Sequence, residues 1–104
     1  MWAQLMKLRL KPGRDGKDIA RVAAQLQAAE QPGSGLLRTF IMRDQQDPAQ
    51  VYTLVLFESE EKAREREADP RREEGLKAVR ATLADIFAGP PEFTNLAVAE
   101  EWTP

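Results

Sequence analysis

The segment from Val51 to Phe57, with the sequence VYTLVLF, constrains the fold of this chain more than any other. Successive side chains of a β-strand point to opposite faces of the sheet, and here both faces are apolar. One face has Val51, Val55 and Phe57, and the other has Tyr52, Leu54 and Leu56. Helices of the same chain can cover one face, but a chain of 104 residues has little left to cover the second. We therefore expect a homodimer that forms through an apolar sheet face.

The composition excludes several classes of function. The chain has no cysteine and no histidine, so thiolate nucleophiles, zinc–sulfur sites and histidine-dependent catalysis or haem ligation are ruled out. A net charge of −2 gives no broad basic field, so neither nucleic acid nor an anionic membrane is an expected partner. No apolar run approaches the roughly 20 residues that cross a bilayer, and the first residues lack the pattern of a secretory signal. We expect a soluble cytoplasmic protein with a single domain, residues 1–104.

Turn and cap signals divide the chain into elements in the order β-α-β-β-α-α-β. Asp15, Ser59 and Asp69 are the predicted N-caps of the three helices, and proline follows Asp69 at the first helical position. This order predicts a ferredoxin-like α+β domain, in which a four-stranded antiparallel sheet carries its helices on one face. The other face would expose a larger apolar patch than monomers usually show, which favours two sheets packed face to face.

Two further patterns concern individual side chains. On the second predicted strand, Leu36, Phe40 and Met42 are placed on one face, and Leu37 and Ile41 on the other. The run from 58 to 74 concentrates charges of both signs at helical spacing, which is typical of a solvated helix face.

Several segments that shape the fold together carry a family resemblance. They are the first strand running into Lys11-Pro12-Gly13, the Pro32-Gly33 turn, the Asp44–Pro48 connection, the sequence VYTLVLFESEEKA, and Asp69-Pro70. The chain resembles the antibiotic biosynthesis monooxygenase family of the dimeric α+β barrel superfamily. The resemblance implies a homodimer whose sheets close a barrel, with a small apolar cavity between the sheet and the helices of each subunit. It also implies oxidation of polycyclic phenols or quinols without metal, flavin or any other cofactor.

The chain departs from the haem-degrading branch of that family. That branch uses an asparagine on the first strand, a tryptophan and a histidine, whereas this strand offers Gln4. Arginines occur near Arg66 and Arg71, where many relatives place histidines. Haem degradation is therefore not expected.

Four polar side chains on predicted strands are candidate substrate-binding groups. A cofactor-free oxygenase must hold an electron-rich substrate in a dry pocket and stabilise its anion. Arg38, on the face of Leu36 and Phe40, is a candidate clamp for a phenolate. Tyr52 is a candidate to orient a substrate hydroxyl, and the amides of Gln4 and Asn95 are candidate hydrogen-bond donors.

Each of these groups also has a structural interpretation. Arg38 can lay its stem over an edge strand, Tyr52 can fill core volume, and the two amides can be satisfied internally or exposed. Trp2 and Trp102 can wall a cavity, although burial at a subunit interface is favoured for both. No catalytic residue and no metal site is predicted.

Two hypotheses of function remain. The first is a cofactor-independent monooxygenase-like protein acting on an aromatic or polyketide-type phenol or quinol. The alternative is a non-catalytic dimer of the same fold that binds a small apolar ligand or regulates a partner, which the absence of histidine favours.

Overall fold

The computed structural model describes all residues, 1–104. The strands are β1 (Trp2–Arg9), β2 (Leu36–Arg43), β3 (Gln50–Phe57) and β4 (Glu92–Ala97). The helices are α1 (Gly16–Ala29), α2 (Glu60–Glu67) and α3 (Glu73–Ile86), with a 3₁₀ turn (Pro70–Arg72) between α2 and α3. The predicted order β-α-β-β-α-α-β is confirmed.

The four strands form one antiparallel sheet in the order β2-β3-β1-β4. β1 and β3 pair along their whole length, from Trp2 opposite Phe57 to Arg9 opposite Gln50. All three helices pack on the same face of this sheet, as the ferredoxin-like arrangement requires. The predicted α+β class and ferredoxin-like sheet are therefore confirmed.

The predicted N-caps are also confirmed. The Asp15 carboxylate accepts a hydrogen bond from the Lys17 backbone, and Asp18 accepts one from the Asp15 backbone, which completes a capping box at α1. The Ser59 hydroxyl caps α2, and the Asp69 carboxylate caps the 3₁₀ turn. Each cap satisfies a backbone N–H that would otherwise lack a partner and contributes about 1 kcal/mol.

The apolar core lies in two clusters at opposite ends of the helix-covered face. Their buried members are Leu10, Val22, Val51, Ile86 and Phe87 in the first, and Trp2, Val55, Phe57 and Ala63 in the second. A strand rises about 3.3 Å per residue, so Val51 and Phe57 at the two ends of β3 lie roughly 20 Å apart. The middle of the sheet is left without a cluster of its own.

The opposite face of the sheet, here called the open face, is covered by no element of this chain. Tyr52, Leu54 and Leu56 lie on it half-buried, as the alternation in β3 predicts. On the flanking strands, Phe40 is 42% exposed and Leu96 is 39% exposed. The predicted apolar second face is therefore present, and the homodimer that would cover it stays a prediction.

The predicted side-chain faces of β2 are wrong at the start of the strand. A β-bulge lies between Leu36 and Arg38, because Leu36 pairs with Phe57 and Arg38 pairs with the adjacent Leu56. The bulge places Leu36 on the helix-covered face, against the cluster of Phe57, while Arg38 stays on the open face. Leu37 is 45% exposed and does not share the packed environment of Ile41. Simple alternation fails here because one extra residue shifts the phase of the pattern.

Candidate functional site: a cavity between the sheet and the helices

A cavity of about 620 Å³ lies between the sheet and the helices. Protein interiors rarely contain voids larger than a water molecule, and small-molecule pockets usually span about 300–1,000 Å³. Most of its wall is apolar: the lining includes Met6, Leu8, Ile19, Leu26, Ile41, Leu76 and Leu83. A volume of this size with such a wall fits a small, largely apolar molecule.

The cavity exists because the middle of the sheet carries small or polar side chains. Thr39 on β2, Thr53 on β3 and Gln4 on β1 line its floor, and Ala23 of α1 faces it from above. Bulky residues at both ends of the strands hold the helices away from the sheet, whereas these shorter side chains cannot fill the space between.

The four predicted substrate-binding residues fall into two pairs on opposite faces of the sheet. Gln4 lines the cavity, and its Nε2 donates a hydrogen bond of 3.2 Å to Oδ1 of Asn95, its partner across β1 and β4. Arg38 and Tyr52 belong to the open face and do not line the cavity. The structure therefore brings Gln4 and Asn95 together on the helix-covered face, where Gln4 lines the cavity and Asn95 does not, and it places Arg38 and Tyr52 on the open face.

Two aromatic rings form the wall at one end of the cavity. Trp2 and Phe57 have ring centroids 5.9 Å apart. The guanidinium of Arg64 lies 5.4 Å from the Trp2 ring, and that of Arg66 lies 5.4 Å from the Phe57 ring. Trp2 is only 8% exposed within its own chain. Trp2 therefore lies on the cavity wall and is buried by its own chain, and its burial at a subunit interface stays a prediction.

A charged cluster, consisting of Glu30, Arg66 and Arg72, lines the same end of the cavity. Glu30 caps the end of α1, Arg66 belongs to α2, and Arg72 ends the 3₁₀ turn. Nη2 of Arg66 lies 2.7 Å from Oε2 of Glu30, and its Nε donates to both carboxylate oxygens. Nη1 of Arg72 donates to the backbone oxygen of Arg66 at 3.2 Å, but its buried Nε has no hydrogen-bond partner.

The surroundings shift two pKa values within this cluster. Burial alone would raise the pKa of Glu30, but hydrogen bonds from Arg66 and Ser34 and the charges of Arg66 and Arg72 outweigh it and hold that pKa below its usual value. Burial, followed by the nearby charge of Arg66, lowers the pKa of Arg72. A guanidinium nevertheless stays protonated at any physiological pH. Glu30 is therefore a paired carboxylate, and Arg72 a buried cation.

Sequence reasoning missed the charged cluster. The run from 58 to 74 was interpreted as a solvated helix face, whereas Arg72 is only 6% exposed and Arg66 is mostly buried. The interpretation holds for Arg64 and Glu67, which form an exposed pair. The available signal was Arg66 and Arg72 lying six residues apart, on either side of the proline that restarts the helix.

No group of three or more histidine, cysteine, aspartate or glutamate side chains is placed to hold a metal ion. None of the helices has the length and apolar character that crossing a membrane requires.

Comparison with known proteins identifies solved structures that share this fold. The sequence matches no protein-family model and no curated protein. A structure named putative antibiotic biosynthesis monooxygenase, from Nitrosomonas europaea, superposes with a TM-score of 0.74 and covers 96% of this chain and 100% of its own, at 14% identity. Rv0793 from Mycobacterium tuberculosis gives a TM-score of 0.72 with 98% of each chain covered, at 15% identity. The fold is that of the antibiotic biosynthesis monooxygenase structures. The resemblance drawn from the sequence is confirmed at this level.

The monooxygenase fold also includes a structure described by its reaction type. SnoaB from Streptomyces nogalater, a cofactor-independent oxygenase, superposes with a TM-score of 0.68 and covers 96% of this chain and 94% of its own, at 14% identity. Likeness at this level of identity establishes a shared architecture, and the chemistry of this chain must be argued from its own residues.

Proposed function

We propose that this chain is a cytoplasmic, homodimeric, monooxygenase-like protein that oxidises an aromatic or polyketide-type phenol or quinol without a cofactor. The observation that carries the proposal is the largely apolar cavity of about 620 Å³ between sheet and helices. The fold it shares with SnoaB, a cofactor-independent oxygenase, supports the same reaction type.

The proposed reaction needs little covalent chemistry from the protein. The deprotonated substrate passes an electron to O₂, one oxygen atom becomes a carbonyl on the ring system, and the other leaves as water. In an anthrone both hydrogens of that water come from the oxidised methylene carbon, and in a phenol one comes from the ring carbon and one from the hydroxyl. The protein must exclude bulk water and stabilise the substrate anion. Gln4 is suited to this role, because its amide has two N–H donors and only one is used by Asn95.

The proposed dimer accounts for the open face. Leu54 and Leu56 lie at its centre, and Phe40 and Leu96 extend it onto both edge strands. Two such faces packed together would remove these side chains from water, which is the main driving force of association. Arg38 and Tyr52 would then lie at or near the interface, and a role for them in substrate binding would require access from the barrel side.

A second candidate function, non-catalytic binding of a small ligand, is favoured by the state of the carboxylates. Glu30 and Glu67 both line the cavity, and each is paired with an arginine. A carboxylate with a lowered pKa is a weak base, so Glu30 is poorly suited to remove a phenolic proton. On this hypothesis the cavity binds a ligand that is already ionised in water.

Oxygen uptake tests the proposal. The purified protein is mixed with a panel of anthrones and quinols, and O₂ consumption is recorded against the uncatalysed rate. Ala23 faces the cavity and Ala24 does not, so Ala23→Phe should fill the cavity while Ala24→Phe serves as the matched control. We expect wild type and Ala24→Phe to accelerate oxidation and Ala23→Phe to lose the acceleration.

The same panel separates the two candidate functions. Folded wild-type protein that leaves the oxidation rate of every compound unchanged would overturn the oxygenase proposal. If those compounds still bind, as tryptophan fluorescence from Trp2 would report, the non-catalytic function is supported.

A further inference from the structure

We infer that the charged cluster of Glu30, Arg66 and Arg72 forms a subsite for an acidic group on the ligand, so that the cavity selects aromatic acids over neutral aromatics. The inference rests on the proposed function, because it requires that the cavity bind an aromatic molecule. It adds to that function the chemical class of the ligand and the residue that recognises it.

The first argument is the unused hydrogen-bonding capacity of Arg72. Its guanidinium has five N–H donors in a planar fork. Nη1 donates to the backbone oxygen of Arg66, while Nε is buried and has no acceptor. The side chain is 6% exposed and lines the cavity, so water reaches it poorly. Buried polar groups are nearly always paired. Nε is closed off, but Nη2 of the same guanidinium also makes no hydrogen bond, so a ligand acceptor in the cavity has a free donor to meet.

The second argument is the balance of charge. Glu30 is neutralised by Arg66, whose Nη2 and Nε both donate to its carboxylate. Arg72 forms no ion pair with any side chain, so the cluster of one carboxylate and two guanidiniums has a net charge of +1. The charges of Glu30, Asp69 and Glu67 attract Arg72, but none of these carboxylates forms an ion pair with it. A buried cation without a paired counterion is unfavourable, and one anionic group entering the cavity would compensate it.

The third argument is the position of the cluster beside aromatic rings. Arg66 lies over Phe57, which contacts Trp2 on the cavity wall. A ligand whose acidic group meets Arg72 would therefore place its ring system against apolar and aromatic side chains. A carboxylate matches the geometry of a guanidinium, because its two oxygens can accept parallel hydrogen bonds from the fork.

The test compares two ligands that differ mainly in charge, 2-naphthoate and 2-naphthamide. Dissociation constants are measured by calorimetry at pH 7 for wild type and variants. We expect wild type to bind naphthoate about tenfold more tightly than naphthamide, since a charge-assisted hydrogen bond is roughly twice as strong as a neutral one. Arg72→Gln should remove this preference, because it weakens naphthoate binding much more than naphthamide binding.

Arg71 is the matched control, because it is the adjacent arginine but is exposed, pairs with Asp69 and does not line the cavity. Arg71→Gln should retain the full preference for naphthoate. Arg38→Gln, on the open face, tests whether the acid binds there instead. Loss of the preference in Arg38→Gln or Arg71→Gln, with Arg72→Gln unaffected, would overturn the inference.

A second measurement keeps the inference testable if Arg72→Gln does not fold. In wild type, the ¹⁵N resonance of the Arg72 Nε–H should shift on addition of naphthoate, and by more than it does with naphthamide. An unchanged resonance with bound naphthoate would refute the subsite. Equal affinity of wild type for both compounds would refute the subsite but retain the cavity as a binding site, whereas binding of neither would remove the proposed function itself.

Discussion

Arg66 on α2 donates hydrogen bonds to the carboxylate of Glu30 at the end of α1, with a shortest distance of 2.7 Å between Nη2 and Oε2. The pair joins two segments that are 36 residues apart in the sequence. Their side chains are only 14% and 23% exposed, so water screens the interaction less than at the surface. The contact joins the last turn of α2, whose Ala63 packs in the second core cluster, to the end of α1.

This pair makes stability depend on pH in a defined direction. The folded-state pKa of Glu30 lies below its value of 4.5 in the unfolded chain. Its contribution is therefore fully present above pH 4.5 and is lost as the pH falls through the folded pKa. We expect Glu30→Gln to cost roughly 1–3 kcal/mol at pH 7, because it leaves Arg66 without its charged partner.

Urea unfolding at pH 7 and at pH 3 measures this effect. The difference in free energy of unfolding between wild type and Glu30→Gln should be smaller at pH 3, because Glu30 is then increasingly protonated in wild type. The other titrating carboxylates are common to both proteins and cancel in this difference. Glu74→Gln, at an exposed residue of α3, is the control and should change stability little at either pH. A difference that stays constant between the two pH values would contradict the role of the ionised pair.

A close approach of α1 and α3 positions the charged cluster. A Cβ added at Gly75 would lie 2.6 Å from Cβ of Ala29, which is too close for either helix to remain in place. Ala29 immediately precedes Glu30, and Gly75 follows shortly after Arg72, so this crossing sets the distance between the elements of the cluster.

We therefore expect Gly75→Ala to destabilise the protein by about 1–3 kcal/mol, the usual cost of overpacking. Helix propensity alone predicts the opposite sign, with a gain of up to about 1 kcal/mol. Ala78→Gly, at an exposed position of the same helix, measures the propensity term separately. Thermal unfolding of the two variants decides between these effects, and a more stable Gly75→Ala protein would show that the helices can move apart.

Much of the architecture follows from local rules that the sequence displays directly. A short polar side chain directly before a helical segment accepts hydrogen bonds from its first free backbone N–H groups, as Asp15, Ser59 and Asp69 do. Burial alternates along VYTLVLF because successive strand side chains point to opposite faces of the sheet. These features depend on residues close together in the chain, so they can be predicted from the sequence without knowledge of tertiary contacts.

The site was harder to predict because it depends on distant residues. Simple alternation places Leu36 and Arg38 on the same face, but the bulge turns Leu36 toward the helices and leaves Arg38 on the open face, and no local signal marks it. The sequence around Arg66 and Arg72 is typical of an exposed helix face, and their partner Glu30 lies in a distant segment, at the end of α1. Gln4 and Asn95 meet only through the pairing of the first and last strands.

The separation of the four predicted binding residues gives a test of which face binds the ligand. Gln4→Met removes the amide from the cavity wall with little change in volume and should weaken 2-naphthamide binding by about tenfold at most, the usual range for one neutral hydrogen bond. Arg38→Gln and Tyr52→Phe lie on the open face and should leave that affinity unchanged. Fluorescence titration of the three variants measures this, and a loss confined to Tyr52→Phe would move the site to the other face.

The open face supplies the last prediction, which concerns assembly. Phe40 is 42% exposed and lies beside Leu54 of the neighbouring strand, so a dimer formed through this face would bury it. Phe40→Glu would place a charge without a partner at that interface, which typically costs several kcal/mol. Sedimentation velocity at low micromolar concentration should show a dimer for wild type and a folded single subunit for Phe40→Glu. Ala81→Glu adds the same charge on the exposed side of α3 and should remain dimeric. A wild-type protein that sediments as a stable monomer would contradict the inference drawn from VYTLVLF, because its second apolar face would then tolerate water.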